Sequence, residues 1–165
     1  MSNRVVQNTD IAVNRVNVYD SQTGIFVTNI FRTLQGEAPF GGYPAVFLRL
    51  AGCNYGMKTN YCQFCDTSFQ LAKSKHYTVD ALYDAVLEQT VPGDILVLTG
   101  GEPTLQHQII PMLKRLLENG VYRLIQIETN LTNPAFFKEA LAQGLPFTRS
   151  VEGEGVYVVG SPKAN

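Results

Sequence analysis

The chain has 165 residues, 45% hydrophobic and 16% charged, an ordinary globular composition with enough apolar material for one domain and its core. Thirteen Lys and Arg against fourteen Asp and Glu leave a net charge of −1, without the basic footprint of a nucleic-acid binder. No apolar run reaches the roughly 20 residues of a membrane helix, and the polar start MSNRVVQNTD lacks the apolar segment of a secretory signal.

Residues 1 to 24 are rich in Asn, Gln, Ser and Thr and read as an N-terminal extension; residues 25 to 165 read as one domain. GIFVTNIF predicts a strand, followed by the turn-rich QGEAPFGGYP. AVFLRLA, 45 to 51, is a nearly continuous apolar run of the kind buried on both faces of a parallel sheet. A loop with all three cysteines follows, and His76 falls in a polar loop after it. Thr78 is placed to cap a helix running to about Thr90, with Val79, Leu82, Tyr83, Val86 and Leu87 on one face. ILVLT, 95 to 99, is a second buried strand, and GGEPT leads into a helix that ends on Gly120. YRLIQIET is a third strand. NPAFFKEALAQG opens with Asn as cap and Pro at the first helical position, and closes on Gly144. GVYVVGS is a fourth strand, after a long polar connection, FTRSVEGEGVYV.

Strands alternating with helices imply right-handed crossovers and a parallel sheet or barrel. In such architectures the loops after the strands open on one face, where ligands bind. The cysteine loop, TGGEPT, ETN and GSPK each follow a strand, so all four converge on one rim.

A reducing, cytoplasmic compartment makes clustered cysteines metal ligands rather than disulfides. Cys53, Cys62 and Cys65 suit a soft metal. A 4Fe-4S cluster normally takes four cysteines, so three leave one iron with an open position. A zinc site with His76 as fourth ligand is the competing reading of the same residues. Gly100 and Gly101 permit close approach to the backbone, and Glu102 is able to accept from an ammonium.

GCNYGMKTNYCQFCDT resembles the cluster loop of the radical S-adenosylmethionine superfamily, with C-x8-C-x2-C in place of the usual CxxxCxxC. TGGEPTLQ resembles that superfamily's Gly-Gly-Glu motif. The resemblance implies a partial (β/α) barrel with parallel strands, lacking the C-terminal part of the usual barrel. It also implies a 4Fe-4S cluster on the three cysteines. S-adenosylmethionine would lie against Phe64, Asp66, Gly100, Gly101 and Glu102, and against Ser161 and Lys163 of SPK.

Within the superfamily, FRTLQGEAPFGGYPAVFLRLAGCNYG…CQFCDT is similar to the start of the 7-carboxy-7-deazaguanine synthase family. That likeness implies a carbon–nitrogen lyase acting on 6-carboxy-5,6,7,8-tetrahydropterin by radical ring contraction with loss of ammonia. It assigns Leu34, Gln35, Gly36, Glu37 and Thr99 to the substrate and Arg49 to its carboxylate, a pairing a guanidinium makes bidentately. It assigns Thr67 to Mg2+, and implies an electron donor such as flavodoxin and a homodimer. Glu128, Thr129 and Asn130 resemble the family's third-strand motif, and His107 reads as a surface residue. Family members run on past the fourth strand, so the last sheet edge is expected to be covered by a partner subunit, by a second chain, or by a further part of the same protein that this sequence does not include. Two other classes fit parts of the pattern: a glycyl-radical activating enzyme, which needs neither LQGE nor Arg49, and a non-enzymatic zinc or iron-sulfur binding protein.

Overall fold

The computed structural model describes residues 24–54 and 74–161. Nine elements are ordered β1 (Ile25–Leu34), β2 (Pro44–Leu50), β3 (Lys75–Tyr77), α1 (Val79–Leu87), β4 (Ile95–Gly100), α2 (Ile110–Glu118), β5 (Leu124–Thr129), α3 (Pro134–Ala142) and β6 (Gly155–Gly160). They form one six-stranded sheet in the order β3-β1-β2-β4-β5-β6. β2, β4, β5 and β6 run parallel, as the alternation of strands and helices predicts. Among the described residues the sheet is open, with β3 and β6 at its edges, as in a partial barrel.

β1 departs from the all-parallel expectation: it pairs antiparallel with β2 and with β3. The reason is the connection. Only residues 35–43 join β1 to β2, and a parallel crossover needs about a dozen or more. The chain therefore returns on itself as a broad hairpin. β3 corrects a second expectation. His76 does not lie in a loop; it pairs with Phe26 in a three-residue edge strand and packs its ring on Phe26, 4.9 Å between centroids.

The helices cover one face. Thr78 caps α1 as expected, its hydroxyl accepting from Ala81 N at 3.2 Å. Leu82, Tyr83 and Val86 face the sheet, whereas Leu87 is exposed and does not join them. α2 and α3 end before Gly120 and Gly144, both at positive φ. Pro134 opens α3, but Asn133 makes no cap bond to it; its amide donates to Thr104 O at 2.6 Å. The cap position thus serves the neighbouring loop instead of its own helix. Between helices and sheet lies a core that includes Leu48, Leu98, Ile127, Leu116 and Phe136. Each such side chain contributes about 1.5–3 kcal/mol by leaving water.

The lower end of the sheet, where the parallel strands begin, is closed by polar contacts. Arg32 forks onto Asp94 at 2.8 and 2.9 Å, and Asp94 also accepts from Val91 N at 3.0 Å. The Arg32 guanidinium holds the Asp94 carboxyl below its ordinary 3.8. Tyr122, buried beside this pair and hydrogen-bonded to Thr90, has its phenol pushed up to about 12, chiefly by burial.

Candidate active site at the rim

The other face of the sheet is built in layers, because the strand period of two alternates its side chains between the faces. The lowest layer is apolar: Ala45, Ile95 and Leu124 pack with Phe40. Phe40 reaches them because residues 35–43 fold across this face, bringing its ring 5.2 Å from Tyr157. Phe47, Val97, Gln126 and Tyr157 make the middle layer, with Phe31 stacked on Phe47 at 5.3 Å. The top layer turns polar. Arg49 pairs in register with Asn29 on one side and Thr99 on the other, and Glu128 stands one strand further along. Arg49 also lies 6.0 Å from the Phe31 ring.

The turn after β1 reaches this polar layer. Gln35, 2% exposed, donates Nε2–H to Glu128 Oε1 at 3.0 Å, and Gln126 donates to the same oxygen at 2.8 Å. Gln35 also holds its own turn, its N–H donating to Tyr43 O, its carbonyl accepting from Gly42 and its side-chain oxygen from Glu37. Of the LQGE residues, Gln35 is thus drawn inward. Leu34, Gly36 and Glu37 are exposed, Leu34 at 63%.

Above this layer the loops after β2 and β4 dock backbone to backbone. Gly101 N donates to Leu50 O at 3.3 Å and Glu102 N to Gly52 O at 2.8 Å. A Cβ at Gly100 would run into the Leu50 backbone, and one at Gly101 into Gly52 and the Cys53 Cβ. Their glycines are therefore required by the approach of Leu50–Cys53, an approach made by the chain itself where the sequence suggested a ligand.

Glu102 is fully buried. Its Oε1 accepts from Thr104 N (3.0 Å), Thr104 Oγ1 (2.5 Å) and Thr129 Oγ1 (2.7 Å), and its Oε2 from Asn130 N at 2.7 Å. Four donors satisfy the buried side-chain oxygens. The ammonium acceptor expected from sequence thus already holds the loop after β4 to the end of β5.

Two residues that sequence reasoning passed over are central here. Gln106, fully buried, accepts from Phe26 N at 2.8 Å and donates to Phe26 O and Ala51 O at 2.9 and 3.0 Å, tying β1 and the end of β2 to the loop after β4. Asn54, next to Cys53, bonds to Asn130 and Thr132 across the rim. Gln106 stands beside His107 and Gln108, so nothing in the sequence singled it out, and Asn54 gave no signal either. His107, read as a surface residue, is half-buried: it pairs with Glu139 and meets Asn133 at 3.2 Å.

Cys53 is half-buried at the rim, and Ser161 follows β6, its N–H donating to Thr129 O at 2.8 Å. Cys62, Phe64, Cys65, Asp66, Thr67 and Lys163 lie outside the described residues, as does the N-terminal extension up to residue 23. A half-buried rim thiol, one of three in a C-x8-C-x2-C loop, is a donor set that fits a soft metal centre. Among the described residues no helix is long and apolar enough to cross a membrane.

Residues 49–146 match the Radical SAM superfamily. A 7-carboxy-7-deazaguanine synthase of Rhodospirillum rubrum is 40% identical over 141 residues, 84% of this chain and 50% of that protein. One from Rickettsia prowazekii is 34% identical over 147 residues, 86% of this chain and 52% of that protein. The chain spans about half the length of these curated relatives. The crystal structure of QueE from Escherichia coli superposes with a TM-score of 0.59 at 26% identity, covering 89% of this chain and 63% of that one. The rim loops, the parallel strands beneath them and these matches agree, and the chain belongs to the Radical SAM superfamily.

Proposed function

We propose that this chain carries the radical core of a 7-carboxy-7-deazaguanine synthase. Its substrate is 6-carboxy-5,6,7,8-tetrahydropterin, its product 7-carboxy-7-deazaguanine, and the reaction a carbon–nitrogen lyase step with loss of ammonia. The observation that carries this reading is the polar top layer. A guanidinium, Arg49, stands in register with Thr99 directly below the rim, and Gln35 of LQGE is fixed to Glu128 on the same face. That is an arrangement for an anionic, hydrogen-bonding heterocycle, and relatives over 84–86% of this chain are named for one.

Membership in the superfamily implies a 4Fe-4S cluster and S-adenosylmethionine. Cys53, Cys62 and Cys65 would hold the cluster, and Phe64, Asp66, the Gly100–Gly101 backbone, Ser161 and Lys163 would surround the cofactor. When bound, this pair would supply the hydrogen-abstracting radical chemistry of the superfamily. The chain's own work is orientation and the exclusion of water. Arg49 grips the substrate carboxylate with two parallel N–H donors, which fixes both position and tilt. Thr99 and the LQGE turn border the ring, and the apolar layers with Phe40, Phe47 and Val97 close the space beneath. Glu102 keeps the loop after β4 in place. Thr67 would supply a hydroxyl to Mg2+, a hard cation that suits oxygen donors. The electron comes from a donor such as flavodoxin, and the working form is a homodimer in the cytoplasm.

The test is anaerobic reconstitution of the full chain with iron and sulfide, then incubation with dithionite, S-adenosylmethionine and the carboxytetrahydropterin. Iron uptake with deazaguanine product is expected. One equivalent of zinc and no iron would remove the enzyme reading; cofactor cleavage without deazaguanine would remove the substrate. Arg49→Lys keeps the charge but not the fork. Its turnover should fall about tenfold or more, the scale of a lost charge-assisted hydrogen bond, with cluster content unchanged.

A further inference from the structure

Cys53 is followed at once by Asn54, and Asn54 is held by a side chain from another strand's loop. Asn130, 8% exposed, follows β5. Its Oδ1 accepts from Thr132 N at 3.0 Å, a donor that cannot be reversed, so its Nδ2 must be the atom facing Asn54. Asn130 Nδ2 donates to Asn54 Oδ1 at 2.9 Å, Asn54 Nδ2 to Thr132 Oγ1 at 2.6 Å, and Thr132 Oγ1 back to Asn130 Oδ1 at 2.5 Å. Three side chains thus close a ring in which each donates once and accepts once, a cycle whose bonds polarise one another in the same sense.

The ring is anchored from below. Asn130 N–H donates to Glu102 Oε2, and the adjacent Thr129 hydroxyl donates to Oε1. Thr129 Oγ1 accepts in turn from Leu131 N at 3.1 Å, in a turn where Leu131 takes φ 63, a left-handed conformation that costs a leucine energy. Glu102 itself is fixed to the Cys53 side of the rim by its N–H on Gly52 O. The stem of the cysteine loop is therefore clamped twice, by backbone at Gly52 and by side chain at Asn54, with Cys53 between the clamps.

We propose that Asn130 is a positioning residue for the metal centre: through Asn54 it fixes the backbone on which the Cys53 thiolate is presented. This rests on the reading of Cys53 as a cluster ligand. Asn130 works as outer-shell partners of metal ligands do, holding the ligand's frame without touching the metal. It explains why a buried asparagine turns its amide nitrogen to the cysteine loop while its oxygen holds its own turn through Thr132.

The experiment measures cluster lifetime, not turnover. Wild type, Asn130→Ala, Asn54→Ala and the double variant are reconstituted anaerobically with iron and sulfide. Loss of the cluster to an iron chelator is followed by its visible absorbance, and the melting temperature of each cluster-free protein is recorded. Asn130→Ala should speed cluster loss about tenfold, the lower end of the range for an outer-shell partner. Asn54→Ala, at a half-buried rim position where unfolding is not at issue, should do the same. The double variant should be no worse than either single one, because both remove the same bond. Wild-type lifetimes in both single variants overturn the proposal. So does strict additivity, or acceleration that merely tracks a lowered melting temperature, which would make Asn130 an ordinary stabilising residue. A wild-type protein that takes up no iron overturns the cluster reading itself, and this inference with it.

Discussion

The two faces of the sheet are made by the same strands and do different work. Leu98 and Thr99 are consecutive in β4, yet one belongs to the helix-covered core and the other to the polar layer beside Arg49. Among the described residues, the helix side gathers twenty-two buried residues into one cluster and the opposite side only five. Helices that pack onto a sheet exclude water along its whole length. On the opposite face the filling comes from residues 35–43, whose Phe40 covers the lower and middle layers and leaves the top polar. Stability and chemistry are thereby separated by the pleat of the strand, one residue apart.

The separation can be broken most strongly at the core. Leu98→Ala should cost about 2–5 kcal/mol in denaturant unfolding, since the removed atoms leave a cavity between sheet and helices. Cluster assembly should then fall only in step with the folded fraction. Gln106→Leu comes next and tests the join between the faces. It removes the side-chain partner of Phe26 N, Phe26 O and Ala51 O, of which Phe26 O keeps its bond from Ala51 N, and about 3 kcal/mol is expected. Because those groups flank the rim, faster cluster loss should accompany the fall in the unfolding midpoint. A midpoint equal to wild type would show that the three backbone groups find other partners.

The lower end responds to acid. Asp94 has its carboxyl held below 3.8, so its contribution to stability is present above that value and disappears as pH falls through the depressed one. Unfolding midpoints compared at about pH 5 and about pH 3 should drop for wild type, and drop less for Asp94→Asn, which has no proton to gain. An identical acid response in both proteins would assign the loss to other carboxyls. The smallest expected effect on stability belongs to Arg49→Lys. Its midpoint should stay within about 0.5 kcal/mol of wild type, the range of substitutions outside the core, while turnover falls. If stability falls as well, the two faces are not separable at the top layer.

The parallel units were legible in the sequence because their signals are local. Apolar runs, the Thr78 cap and the glycines at 120 and 144 each act within a few residues. What sequence did not disclose was made by distant pairs. The direction of β1 follows from the shortness of its link to β2, a clue present in the sequence yet outweighed by the βα rhythm. The three residues of β3 are too few to show alternation, and Leu87 sits where the helix face ends. At the site, the alignment of Cys53, Gly101, Arg49 and Thr99 on adjoining strands was anticipated by their places after or at the ends of strands. The engagement of Glu102 with Thr129 and Asn130, and of Gln106 with Phe26, spans 27 to 80 residues. Nothing in a linear pattern marks such bonds.

The docking of Gly101 and Glu102 onto Leu50 and Gly52 continues the ladder between β2 and β4 past the last registered pair, Leu50 with Gly100. The stems of two loops at the rim are therefore not hinges. The gap between them is set by the spacing of sheet strands, and changing it means unzipping the sheet from its end. Breathing motions that open or close this side of the site do not begin at residues 50–52 or 100–102. The face that carries the thiol inherits the stiffness of the sheet.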